Sequence, residues 1–195
     1  MDEIALPHKG RGDGTVPVLH VPGGTATVLE IKSNFYGALY VYGLVDTPDT
    51  LARGDMLCTV NSFSRERARA VIPRQYTHIA VDPGSRKSKP RWKAGFRSSD
   101  TCRGLKETAA GKHPDVLLYE GGGATAVFEV HGKGYARLYH RALPSRRSPA
   151  RGTEGKRAEL QSVGTGPFRG KVVIPGPGLI EVDCLVPWSL TLRPA

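Results

Sequence analysis

The chain has 195 residues, with 28 Lys and Arg against 18 Asp and Glu, for a formal charge of +10. No run approaches the roughly 18 apolar residues that a membrane span needs, and the opening MDEIALPHKGRGDG carries no secretory signal core. Cys58, Cys102 and Cys184 are odd in number and lack paired spacing, which argues against a disulfide framework or a zinc site and for buried or incidental thiols.

After an N-terminal arm at residues 1–14, GGTATVLEIKSNFYGALYVYGL (residues 23–44) predicts two strands. Thr27, Leu29 and Ile31 alternate with Val28, Glu30 and Lys32, and Leu39–Tyr42 follows a turn at Ser33–Asn34 that reads as a hairpin. A loop with Asp46, Asp49 and Asp55 comes next, without calcium-loop spacing. Ser64–Ala70 is able to wind one or two helical turns. Then come Val71-Ile72-Pro73, Ile79-Ala80-Val81-Asp82, the insert PGSRKSKPR and a strand at Trp92–Phe96. A polar stretch near residues 97–112 reads as a connector.

Beyond it the text returns. GGATAVFEVHGKGYARLYHRAL (residues 122–143) aligns without a gap on the earlier stretch, 99 residues on, with Glu30 on Glu129 and Tyr40 on Tyr139. Val173-Ile174-Pro175, Ile180–Asp183 and Trp188–Leu192 repeat the later segments in the same order. Gly132-Lys133-Gly134 takes the place of the first hairpin turn, and Pro167–Lys171 reads as loop or strand edge. Repeated order with variable loops indicates a duplicated module. The expectation is an all-β chain of two tandem antiparallel β-sandwiches, jelly-roll-like, at residues 15–97 and 113–195, with a linker at 98–112. Each of the two, at roughly 85 residues, holds enough chain for a core. The shared tryptophans would fill the core ends, and Asp82 and Asp183 would open turns.

No catalytic constellation is legible. The six histidines lack zincin spacing, and there is no Gly-x-Ser-x-Gly elbow. His131 and His140 can face each other across the Gly132–Gly134 turn, but their counterparts in the first copy are Lys32 and Val41, so a shared metal site is excluded. Neither a cofactor nor a metal is expected. Glu30 and Glu129 read as solvent-facing acids beside basic neighbours. Arg-Gly-Asp at Arg11–Asp13 and at Arg53–Asp55 reads as chance in an Arg- and Gly-rich chain.

Charge is the remaining signal. One basic cluster holds Arg86, Lys87, Lys89, Arg91, Lys93 and Arg97, and another Arg141, Arg146, Arg147, Arg151, Lys156 and Arg157. Of these, Arg86, Lys87, Lys89, Arg91, Arg146, Arg147, Arg151, Lys156 and Arg157 are the candidate partner-contacting residues. The acidic loop of the first copy has a basic counterpart in the second, SRRSPARGTEGKR, which suggests different neighbours. Nucleic acid is disfavoured, because neither cluster lies on a helix able to enter a groove. Tyr42 is the candidate glycan-contacting aromatic.

Through Val-Ile-Pro, Ile-x-Val-Asp and Pro-Trp-Ser-Leu-Thr-Leu, the second copy resembles the small lectin-like, jelly-roll β-sandwich modules of actinobacterial and actinobacteriophage proteins. The resemblance implies an architecture and carries no functional residues. The resulting expectation is a non-catalytic structural or interaction protein. Its place would be that of a capsid-decorating or tail-associated component of an actinobacterial phage, multi-copy, in contact with capsid or tail proteins. The expected location is then the virion, reached from the host cytoplasm, and otherwise the cytoplasm. The alternative is a carbohydrate-binding module protein.

Overall fold

The structure, a computed structural model, describes residues 6–21, 26–34, 37–61, 67–85, 89–142 and 157–193. The chain divides into two compact units, Met1–Ser98 and Ser99–Ala195. The first contains β1 (His8–Arg11), β2 (Gly14–Pro17), β3 (Thr27–Ser33), β4 (Ala38–Asp46), β5 (Leu51–Asn61), β6 (Ala68–Ile72), β7 (His78–Asp82) and β8 (Arg91–Ser98). In the second, a 3-10 turn at Ser99–Thr101 precedes β9 (Arg103–Gly104), β10 (Thr108–Gly111), β11 (Asp115–Tyr119), β12 (Ala124–Val130) and β13 (Ala136–Ala142). It ends with β14 (Arg157–Val163), β15 (Phe168–Ile174), β16 (Gly178–Cys184) and β17 (Trp188–Leu192).

The antiparallel pairs of the first unit are nested: β1 with β8, β2 with β7, β3 with β6, β4 with β5. The unit is therefore one long two-stranded ribbon with its tip at Thr47–Thr50, where the Thr47 N–H meets the Thr50 carbonyl at 3.0 Å. Rolled up, the ribbon gives the sheets β1-β8-β3-β6 and β2-β7-β4-β5, the strand order of a jelly roll. The second unit repeats it as β10-β17-β12-β15 and β11-β16-β13-β14, with β9 added in parallel beside β11. Each unit has its own core, built from inward residues of both its sheets: Leu29, Ile31, Val41, Ile79 and Trp92 in one, Phe128, Leu138, Ile180 and Trp188 in the other.

Several sequence expectations change here. Residues 98–112 are not a bare connector, because β9 and β10 lie within them and pair with β11 and β17. The arm at 1–14 supplies β1 and the start of β2. Ser33–Asn34 and Gly132–Gly134 are not hairpin turns, since β3 and β4, like β12 and β13, belong to opposite sheets. Ala68–Ala70 is strand and Phe168–Lys171 is strand. A two-residue alternation cannot distinguish a turn within a sheet from a crossing between sheets, because both preserve the inward face.

The tryptophans anchor equivalent positions. Trp92 lies opposite Gly10 and Ser33, and Trp188 opposite Gly111 and Val130. Their indole N–H groups donate to the Gly12 and His113 carbonyls, each at 2.9 Å. Both rings pack against the facing glycine. A Cβ on Gly10 would come within 2.0 Å of the Trp92 ring and one on Gly111 within 2.8 Å of Trp188. By this register Glu129 stands where Lys32 does, two residues along from Glu30, and Tyr139 stands where Tyr42 does. The gapless alignment is thus out of step by one strand period.

Candidate functional site

Core residues take alternate positions of β8, so Trp92, Ala94 and Phe96 turn inward while Arg91 and Lys93 turn outward. Cross-strand partners share a face. Lys9 and Arg11 of β1 pair with Lys93 and Arg91, and Lys32 of β3 pairs with Lys93. Five cations therefore occupy one end of one sheet face, with Lys9, Lys93 and Lys32 in a row across adjacent strands. Lys9, Arg11, Arg91 and Lys93 are exposed and Lys32 is half-buried. Among the described residues none of the five forms an ion pair. Lys89, also exposed, precedes β8 at the same end.

Further along this face Glu30 is buried, 1% exposed. Three arginines converge on it: Arg67 at 2.7 Å, Arg97 at 3.2 Å and Arg69 at 3.7 Å. Glu30 is not the solvent-facing acid that the sequence suggested. It holds guanidinium groups in place beside the lysine row.

In the second unit the same row reads Ala110, Ser189 and Glu129. Ser189 Oγ donates to Glu129 Oε2 at 3.2 Å and lies 3.2 Å from His131 Nε2. Glu129 also pairs with the exposed Arg169 at 3.3 Å. Beside them Thr108 donates to Thr191 at 3.2 Å. In a serine nucleophile the histidine stands between serine and acid. Here the serine stands between histidine and acid, and among the described residues no group orients the other nitrogen of His131. The arrangement is a hydrogen-bonded row on a wet sheet face. His140 lies in the opposite sheet, buried, against the Gly176 carbonyl at 3.0 Å. The two histidines do not meet. Among the described residues no group of three or more His, Cys, Asp or Glu is placed to hold a metal ion.

Arg157 is half-buried and structural: its guanidinium lies 3.5 Å above the Tyr139 ring and pairs with Glu181 at 3.4 Å, beside Arg141 at 3.1 Å. Tyr42 faces outward, but Arg53 lies 3.4 Å over its ring and reaches Asp82 at 3.4 Å. The one aromatic picked out for glycan stacking thus has a ring face already occupied. Arg86, Lys87, Arg146, Arg147, Arg151 and Lys156 lie outside the described residues.

The second Arg-Gly-Asp is part of β5. A Cβ on Gly54 would come within 2.4 Å of the buried Tyr76 ring, and the Tyr76 hydroxyl donates to Asp55 Oδ2 at 2.8 Å. The first runs from the last residue of β1 into the turn before β2, with Gly12 buried. Asp82 opens a turn by accepting from the Gly84 N–H at 2.8 Å. Asp183 instead accepts from the Tyr135 hydroxyl at 2.8 Å, and burial pushes its carboxyl up from the ordinary value.

Sequence reading found Arg91 and Lys93 and missed Lys9, Arg11 and Lys32. The missing signal was pairing: those three are scattered along the chain and meet only when β1 and β3 flank β8. No helix among the described residues is long and apolar enough to cross a membrane. No family model and no curated protein matches the chain. Among solved structures it is similar to the tandem CBM22-1–CBM22-2 domain of Xyn10C from Paenibacillus barcinonensis, at 6% identity and TM-score 0.28, over 89% of this chain and 79% of that one. It is also similar to cAMP-bound PfPKA-R (141–441), at 8% identity and TM-score 0.17, over 90% of this chain and 71% of that one. At those scores neither likeness carries an argument about fold or ligand.

Proposed function

We propose that this chain is a non-catalytic binding protein that works within a larger assembly, as a virion accessory component. One observation carries the reading. Two units of the same strand order keep equivalent tryptophan anchors, yet the row beside the anchor is Lys9, Lys93 and Lys32 in one and Ala110, Ser189 and Glu129 in the other. Interior positions answer to the fold, and outward positions of opposite character answer to different neighbours. A jelly roll suits both capsid and lectin roles, so architecture alone does not choose between them. Electron microscopy of native material copurifying with the chain tests the reading. Particles bearing the protein support it, and a strictly monomeric protein found in no particle ends it.

A second reading, glycan binding, draws support from the face formed by Thr108, Thr191, Ser189, Glu129 and His131. Hydroxyl and carboxylate groups stand there on adjacent strands about 4.8 Å apart, joined by hydrogen bonds. Binding on a glycan array that Ser189→Ala abolishes and Tyr42→Ala spares would favour it over assembly.

A further inference from the structure

We propose that the accessible end of the outward face of β1, β8 and β3 in the first unit, where Lys9, Arg11, Arg91, Lys93 and Lys32 lie, binds the phosphodiester backbone of duplex nucleic acid without reading its sequence. The inference does not rest on the assembly reading.

Like charges directly opposite across a sheet destabilise it. Lys93 has one on each side, Lys9 and Lys32, and Arg11 lies opposite Arg91. The fold does not require the lysine row, because its counterpart in the second unit, Ala110, Ser189 and Glu129, carries no cation. Among the described residues no acid neutralises the five. The buried carboxylate of Glu30 is already engaged by Arg67, Arg69 and Arg97 and offsets none of the five.

The chemistry of the face selects its occupant. Neighbouring cations stand about 4.8 Å apart across strands and about 6.8 Å apart along a strand. A duplex, with one negative charge per roughly 1.7 Å of axis, is a polyanion dense enough to meet them all. Single strands bind through aromatic platforms, but Trp92 and Phe96 turn into the core and His8 packs against Phe96, ring centroids 5.5 Å apart. A protein interface needs an apolar or aromatic centre, and this cluster of cations has none. Strands within a sheet send no element into a groove, so contact stops at the backbone. The sequence argument against nucleic acid assumed loops and the lack of a recognition helix. It does not apply to backbone contact by a sheet.

Fluorescence anisotropy of the full chain with a labelled duplex of arbitrary sequence tests this. Five phosphate contacts predict a log–log salt slope of about −4.5, a loss of roughly 500-fold between about 50 and 200 mM salt. Replacing Lys9, Lys32 and Lys93 by Gln should weaken binding at least tenfold at the lower salt and flatten the slope by about 3. Replacing the exposed Lys106, Lys112 and Lys133 of the second unit, an equal charge, should change affinity less than twofold. Circular dichroism checks folding, and Lys93→Gln alone, flattening the slope by about 1, serves if the triple variant does not fold. Absence of duplex binding, equal losses in the two triple variants, or displacement by a single strand or a sulfated polysaccharide of equal charge would each overturn the proposal. None of these outcomes touches the assembly reading, which stands or falls on the particle.

Discussion

Lys93 stands directly opposite Lys32 on the neighbouring strand, both on the sheet face turned away from the core. The pair, with Lys9 on the other side, is a local cost accepted within a folded sheet. Lys93→Thr removes both repulsions and places a β-branched residue in a strand. It should stabilise the first unit by about 0.5–1 kcal/mol. The gain should shrink as salt rises. Urea denaturation at low and high ionic strength measures both effects, and a destabilised variant at low salt would contradict the argument.

Glu30 and Glu129, aligned in sequence, should behave differently when neutralised. Glu30→Gln leaves the arginines around a buried site without their carboxylate, and losing one partner of a buried ion cluster costs about 3–5 kcal/mol. Glu129 pairs with an arginine whose side chain is 69% exposed, so Glu129→Gln should cost less than about 1 kcal/mol. Denaturant midpoints of the two variants decide it. Equal losses would mean that the two positions are equivalent after all.

Gly10→Ala drives a methyl group into the Trp92 indole. Overpacking of this kind costs about 1–3 kcal/mol. Gly111→Ala, whose clash with Trp188 is milder, should cost less. Tryptophan fluorescence during unfolding would show the difference directly, because each substitution perturbs a different indole.

Two acids, the half-buried Asp183 and the buried Cys184, make stability depend on pH. Burial raises the Asp183 carboxyl despite the lowering effects of Tyr135, Arg157 and Arg137. A group that holds its proton more tightly when folded stabilises the fold below its unfolded pKa. That contribution is lost as pH rises through the folded value. Asp183→Asn should therefore raise the melting temperature at neutral pH, with the gain vanishing below the ordinary aspartate pKa of about 3.9. Cys184, hydrogen-bonded to the Val186 carbonyl at 3.3 Å, is pushed up to about 11, first by burial. Its thiol should resist alkylation at mildly alkaline pH until denaturant is added. Its share of stability should fade as pH climbs from the thiol's usual range towards that value. Rapid labelling of the native protein would refute this.

Strands at Thr27–Lys32, Leu39–Tyr42 and Trp188–Leu192 were legible because their alternation is local. So was the role of each tryptophan, since a large ring amid small residues has few places to go except a core. The connector at 98–112 was misread because β9 and β10 are short and polar, and only their partners β11 and β17 make them strands. Tyr42 looked like a stacking surface because Arg53, eleven positions on, meets it only through the pairing of β4 and β5.

By itself, the order of residues determined an all-β chain with an inward and an outward side to each strand, since a side chain's face follows from a two-residue period. Tertiary structure alone decided which strands are neighbours and in what register. A shift of two residues leaves every face unchanged, so no local pattern could reveal that Lys32, not Glu30, occupies the place of Glu129. For the same reason the basic face became visible only when the ribbon rolled up and brought Lys9, Lys93 and Lys32 side by side.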